Sequence, residues 1–148
     1  MSRARTRTVA LVSATLAGSA LVLAFAAAPR AGAARAAGRV FELRTYHTEP
    51  GRLDALNKRF REHTCRLFTK HGMELVGFWT PQDDDKGKAD TLVYLLAFPS
   101  RDGAAASWKA FQDDPEWKAA REASEKDGKI VAKVESVYLD PTDYSALR

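Results

Sequence analysis

The chain has 148 residues, with 23 Lys and Arg against 19 Asp and Glu. Five of those cations (Arg3, Arg5, Arg7, Arg30, Arg35) precede Gly38 and no acid does, so 18 face 19 from Arg39 onward and no basic surface for nucleic acid is expected. A single cysteine, Cys65, excludes an internal disulfide and a cysteine-built zinc or redox site.

The basic start at Arg3, Arg5 and Arg7 leads into an uncharged run, Val9 to Ala28, rich in Ala, Leu and Val. Pro29 breaks the run, and small-x-small sites come after it at Ala31-Gly32-Ala33 and Ala34-Arg35-Ala36. This is the layout of a secretory signal peptide over residues 1–33, with cleavage near Ala33 to Ala37. No stable membrane span then remains, and the protein is secreted or extracytoplasmic. The alternative is an anchor formed by the uncleaved segment, whose length just suffices to cross a bilayer.

Beyond the leader lie about 110 residues, enough for one domain over 39–148 with one core. Arg39 to Tyr46 alternates as a strand. His47 to Arg52 is a loop around Pro50-Gly51. Leu53 to His71 is a helix whose stripe is Leu53, Leu56, Phe60, Leu67 and His71, stopped by Gly72. Glu74 to Thr80 is a second strand, and Gln82 to Asp90 is an acidic loop. Thr91 to Phe98 carries the strongest strand pattern in the chain. Ser100 caps a helix through Trp108 and Phe111. Asp114-Pro115 restarts the helix, which runs to about Lys126. Asp127-Gly128 turns into a last strand, Ile130 to Leu139, and Pro141 to Arg148 is a polar tail.

Strand, helix, strand, strand, helix, strand is the split βαβ of an α+β, ferredoxin-like βαββαβ fold, with a four-stranded antiparallel sheet. Its helices cover only one sheet face. Yet Leu92 to Phe98 is apolar on both faces, and so is the second strand, with Val76 and Phe78 on one side and Leu75 and Trp79 on the other. Leaving three or four such side chains in water forgoes about 1.5–3 kcal/mol each. A domain with a net stability of only ~5–15 kcal/mol does not spare that much. A homodimer, sheet against sheet, is the economical cover.

These residues resemble the NIPSNAP family. The likeness rests on Glu42-Leu43-Arg44-Thr45-Tyr46, Pro50-Gly51, His71-Gly72, Val76-Gly77-Phe78-Trp79, Tyr94-Leu95, Trp108, Asp114-Pro115-Glu116-Trp117, Val134-Glu135-Ser136 and the tail from Pro141 to Ser145. The resemblance implies a dimeric α/β barrel and no defined activity. One departure is Asp90, where the family usually carries Asn before the third strand. There an acceptor-only carboxylate replaces an amide that also donates.

Phe41 and Leu43 are expected under the helices, so that Glu42, Arg44 and Tyr46 face the second layer. Lys133 and Glu135 on the neighbouring last strand then offer Glu42–Lys133 and Arg44–Glu135 pairs. Either these form a buried ion-pair network that fixes dimer register, or they floor a pocket between sheets, with Arg44 anchoring a carboxylate or phenolate. Trp79 and Tyr94 are expected to line that pocket. His63, at the edge of the helix stripe, is either a half-buried structural histidine or a general base at the pocket mouth. His71 complements the helix dipole, and His47 carries no pattern. Three scattered histidines give no metal spacing, and Asp83-Asp84-Asp85 lacks the ligand spacing of a calcium loop. No Ser-centred elbow, phosphate loop or dinucleotide fingerprint occurs, so no cofactor is expected. Two functions remain open: a binder of a small aromatic or acidic ligand, with or without catalysis, and a non-catalytic homodimeric interaction module.

Overall fold

The computed structural model describes residues 39–148. The expected leader, its cleavage region and the alternative anchor lie outside the described residues. Strand β1 (Val40–Thr48) is followed by α1 (Leu53–Arg59), a π-helical turn (Phe60–Thr64), α2 (Cys65–Lys70) and β2 (Glu74–Trp79). Then come β3 (Thr91–Phe98), α3 (Arg101–Asp113), α4 (Pro115–Ser124) and β4 (Val131–Leu139). The sheet order is β2-β3-β1-β4 with every neighbouring pair antiparallel, the order expected of a split βαβ. Among the described residues no helix is long and apolar enough to cross a membrane.

The turns form where residues with the right backbone chemistry stand. Gly72 takes φ +76 after α2, a left-handed conformation that ends the helix at no side-chain cost. Ser100 accepts a hydrogen bond from Gly103 N at 3.0 Å, and Asp114 accepts one from Glu116 N at 2.8 Å, so both expected caps are in place. Strand β1 runs two residues further than its alternation suggests. His47 and Thr48 still pair with β4 across a register shift, and Thr48 N donates to Asp90 O at 2.8 Å. The Asp90 carboxylate accepts from Thr91 Oγ1, also at 2.8 Å, so its acceptor-only chemistry is satisfied locally.

Leu56, Phe60, Leu67 and Phe68 from the first helical run and Phe111 from α3 close over Leu92, Tyr94, Leu96 and Phe98 of β3. This core lies on one side of the sheet. The facing of β1 is the reverse of the expected one. Glu42, Arg44 and Tyr46 point under the helices, where Glu42 meets Trp108 and Tyr46 packs edge-on against Phe60. Phe41, Leu43, Thr45 and His47 occupy the opposite face, beside Ala97, Leu95, Val93 and Thr91. A polar set is tolerated inside because the helix layer brings an indole N–H and β4 brings a hydroxyl to meet it.

The expected Glu42–Lys133 and Arg44–Glu135 pairs do not form. The register sets Glu42 against Tyr138 and Arg44 against Ser136, while Glu135 stands opposite Thr45 on the other face. There Glu135 pairs with Lys133 and lies 3.8 Å from His47 Nε2. The open face carries Val93, Leu95, Val137 and Leu139, with Trp79 in register with Val93 at its edge. The tail residues Pro141, Thr142, Ser145 and Leu147 border a shallow apolar recess there, with Phe41, Leu95 and Leu139.

Candidate functional site

A cavity of about 580 Å³ lies between the sheet and the helices, within the range of small-ligand sites. Its aromatic wall is Tyr46, Phe60, Phe68, Trp108, Phe111 and Trp117. Arg44, Arg59, Lys118, Arg121 and Lys129 line it as cations, and Glu125 is its one acid among the described residues; Lys133 borders it but pairs with Glu135 on the opposite face.

Arg44 is placed from several directions. Its Nη1 lies 3.1 Å from Glu42 Oε1, and its guanidinium sits 4.2 Å from the Trp108 ring centroid and 5.6 Å from that of Tyr46. Its side chain is 18% exposed. Burial works against the charge, but Tyr46, Tyr94 and Glu42 outweigh it and hold the pKa above its ordinary value. Arg44 is therefore a permanent cation in a mostly desolvated place. Its Nε is buried and has no hydrogen-bond partner among the described residues.

Glu42, although on the same strand face, is not available to a ligand. It is 1% exposed and accepts from Arg44 Nη1, from Trp108 Nε1 and from Ser136 Oγ, the last at 2.6 Å. Three donors use up most of its acceptor capacity. Its place is to hold Arg44 and Trp108 in position.

Arg59 is the residue that periodicity missed. Its side chain is 3% exposed, with Nη1 3.1 Å from Glu125 and 3.3 Å from Ser124 Oγ. Its guanidinium stands 5.4 Å from the Trp117 ring centroid, and its Nε too is buried without a partner among the described residues. Arg59 ends α1, and the π-helical turn follows it. Cys65 N donates to Phe60 O five residues back, and Thr64 Oγ1 donates to Arg59 O at 3.2 Å. Arg59, Phe60 and Thr64 are all buried around this turn. On a regular 3.6-residue repeat, Arg59 sits beside the apolar stripe and gives no signal. Lys118 and Arg121, three apart on α4, share one helix face and were legible in principle.

The other expected residues are dispersed. Tyr46 lines the cavity, with Tyr94 behind it at 5.3 Å between ring centroids. Tyr94 is fully buried, and burial first, then Tyr46, pushes its phenol well above the ordinary range, so it stays neutral. Its hydroxyl lacks a partner among the described residues. Trp79 is 54% exposed on the far side of the sheet from Arg44, so it does not join that group. It also borders a separate recess with Asn57, Arg61, Cys65 and Phe78. Burial raises the Cys65 thiol there, which keeps it protonated at neutral pH. His63 lies on an outer groove between α1 and α4, 3.9 Å from Glu62, and does not line the Arg44 cavity. A chamber between two sheets, lined by Arg44, Tyr46 and Tyr94, is thus replaced by a cavity on the helix side.

Comparison with solved structures shows the same fold in proteins of low sequence identity. A NIPSNAP family protein of unknown function from Agrobacterium tumefaciens superposes with a TM-score of 0.65 at 24% identity, over 76% of this chain and 96% of that one. A second NIPSNAP family protein from the same organism gives 0.64 at 22%, over 74% and 99%. An uncharacterised NIPSNAP-like domain protein from Burkholderia xenovorans gives 0.63 at 16%, over 74% and 90%. No curated protein matches the chain. The family model for NIPSNAP matches residues 41–146, nearly all of the described fold, and the chain therefore belongs to the NIPSNAP family.

Proposed function

We propose that this chain binds a small anionic ligand with an apolar body in the cavity between sheet and helices. Arg44 anchors the anion and Tyr46 and Trp108 flank it. The observation that carries this reading is the charge of one aromatic cavity, where Arg44, Arg59, Lys118, Arg121 and Lys129 stand against the single carboxylate of Glu125 among the described residues. An excess of cations beside aromatic rings in a partly desolvated space favours an anionic group with an apolar body.

A second copy of the chain covers the open sheet face in this reading. Val137 and Leu139 there are 53% and 40% exposed, and Trp79 is more than half exposed. Such a patch, next to Val93 and Leu95, suits burial against itself across a two-fold axis. Export directed by the N-terminal leader completes the proposal, and N-terminal sequencing of the mature protein from its host tests it.

The binding reading is tested by calorimetry of the purified protein with aromatic and aliphatic carboxylates. Binding that is lost in Arg44→Gln, with the far-ultraviolet spectrum unchanged, supports it. Undiminished affinity in that variant removes Arg44 as the anchor.

A further inference from the structure

Strand β4 forms one edge of the sheet and pairs with β1 alone. Among the described residues no other backbone group hydrogen-bonds to Val131 through Leu139. Unpaired N–H and C=O groups along an edge are a template for a further strand, and short strands, bulges and prolines are the usual guards. The opposite edge is guarded in this way: β2 has six residues and a register shift between Leu75 and Gly77. By contrast β4 has nine residues and no proline, and it pairs in even register from Lys133 to Leu139. The cavity reaches this edge. Val131 to Val134 all line it, although Lys133 belongs to the opposite sheet face. Its other exposed charged residues, Lys118, Arg121 and Lys129, lie on α4 and in the turn after it. Helix α4 packs against α1 and α3. The mouth is therefore a slot between α4 and the bare edge of β4.

We infer that the occupant of this slot is an extended acidic peptide, which adds to β4 as a fifth strand. The inference rests on the anion-binding reading above and names its ligand class: the anionic group and the apolar body are side chains of one polypeptide. In an added strand every second side chain points to the helix side, roughly 7 Å from the next. One such side chain meets the aromatic wall and another meets the cations. Backbone pairing supplies affinity, and the alternate side chains supply choice. The charge of the slot fixes the chemistry of the partner. Glu125 is divided between Arg59 and Arg121, and Lys118 and Lys129 add to the excess of cations, so acidic segments are attracted and basic ones repelled. Lys133 is the one lysine on the edge that could deter a further strand, and its ammonium is drawn to Glu135 on the open face. The peptide uses the edge and the helix side, not the open face given to a second copy above.

The test is fluorescence anisotropy of labelled hexapeptides on the purified protein. The probe is Thr-Glu-Thr-Phe-Thr-Glu, which places Glu, Phe and Glu on one strand face. It is compared with its Lys-for-Glu counterpart and with two forms N-methylated on one or the other alternate set of backbone amides. The acidic probe is expected to bind at least about tenfold more tightly than the basic one. Methylation of one set, and not of the other, is expected to weaken it by about tenfold or more, because only alternate N–H groups of an added strand face β4. Combining Lys118→Gln with Arg121→Gln is expected to weaken the acidic probe about tenfold, with the circular dichroism unchanged. Equal tolerance of both methylated sets, or equal affinity for the basic probe, overturns the inference. Failure of the acidic probe to bind, while benzoate or phenylacetate binds by calorimetry, overturns the peptide and leaves the anion-binding reading standing. No binding by peptide or free acid overturns both. Exclusion of the probe wherever sedimentation shows a two-subunit species assigns the edge to a second copy and likewise overturns the peptide.

Discussion

The Arg44 guanidinium lies over the Trp108 ring while Trp108 Nε1 donates to Glu42, the same carboxylate that Arg44 engages. Strand β1 and helix α3 are thereby joined by a closed triangle of charge, ring and hydrogen bond. Each member fixes the other two. A cation over a desolvated indole contributes about 2 kcal/mol, but only while the carboxylate keeps the guanidinium in place.

Removing Glu42 should therefore cost more than any single contact suggests. Glu42→Ala leaves both the Arg44 charge and the Trp108 N–H without an acceptor, and a loss of about 3–5 kcal/mol is expected, as for other half-broken buried pairs. Glu42→Gln keeps an oxygen for Trp108 but offers Arg44 no charge, so its loss should be smaller. Urea denaturation followed by tryptophan fluorescence measures both. Equal stability of wild type and Glu42→Ala would show that the triangle adds nothing to folding.

The clasp at Asp114 predicts a pH dependence. Asp114 is the N-cap of α4 and accepts from Lys70 Nζ and His71 Nε2, both at 2.7 Å, as well as from Glu116 N. The hydrogen bond from Lys70, then that from His71, holds its carboxyl far below the ordinary carboxylate range. A carboxylate whose pKa is lower folded than unfolded stabilises the fold above its unfolded value, about 3.9, and loses that contribution as pH falls through its folded value. Asp114→Asn retains a capping oxygen but carries no charge. It should be less stable than wild type at neutral pH, and the difference should shrink as the medium is acidified below about pH 4. Parallel thermal melts across that range measure the difference. A gap that stays constant into strong acid would assign the clasp to capping rather than to charge.

The order of elements was legible because each boundary carries its own local chemistry. Pro50-Gly51, Gly72, Ser100, Asp114-Pro115 and Asp127-Gly128 act through their own backbone or side chain and need no partner from elsewhere. The facing of β1 was not legible, because alternation shows only that Phe41 and Leu43 lie opposite Glu42, Arg44 and Tyr46. Which set goes inside depends on Trp108 and Ser136, two residues distant in the chain that supply the donors Glu42 needs. A strand that is apolar on its outer face hides this further. Arg59 was missed for a different reason: it closes α1 three residues after Leu56 and next to Phe60, at the edge of the apolar stripe, where a charged side chain reads as solvated until Ser124 and Glu125 at the end of α4 meet it.

Two glycines separate strain from simple crowding. Gly87 has φ +88, and a Cβ there would overlap Thr91 Oγ1 and lie 2.9 Å from Asp90 Oδ1. Both neighbours belong to a turn tied by Thr91 N donating to Gly87 O at 2.9 Å, so neither moves freely. Gly87→Ala should cost at least the left-handed penalty of about 1–2 kcal/mol. A Cβ at Gly77 would meet only the far edge of the Trp79 ring, at 2.5 Å. That ring is half exposed and can swing aside. Gly77→Ala should leave the melting temperature nearly unchanged while shifting the tryptophan emission. Thermal melts and emission spectra of the two variants distinguish the cases, and equal destabilisation would contradict this account of Gly77.

The open face makes the last prediction. Val137 sits opposite Leu43 on that face and is 53% exposed within the protomer. A lysine there projects into water in an isolated subunit, where exposed substitutions change stability by only about 0.5 kcal/mol. In a sheet-to-sheet dimer the same lysine is driven into an apolar contact, and the one carboxylate beside it on that face, Glu135, is already paired with Lys133, so burial costs several kcal/mol across two symmetric copies. Val137→Lys should thus leave the thermal melt of a dilute sample nearly intact and convert a two-subunit species to single subunits. Sedimentation velocity at micromolar concentration reads this directly. If the wild type sediments as a single subunit at that concentration, the covering of the open face by a second copy is wrong. The helix-side cavity is unaffected by that result, because Arg44 and Arg59 reach it from within one protomer.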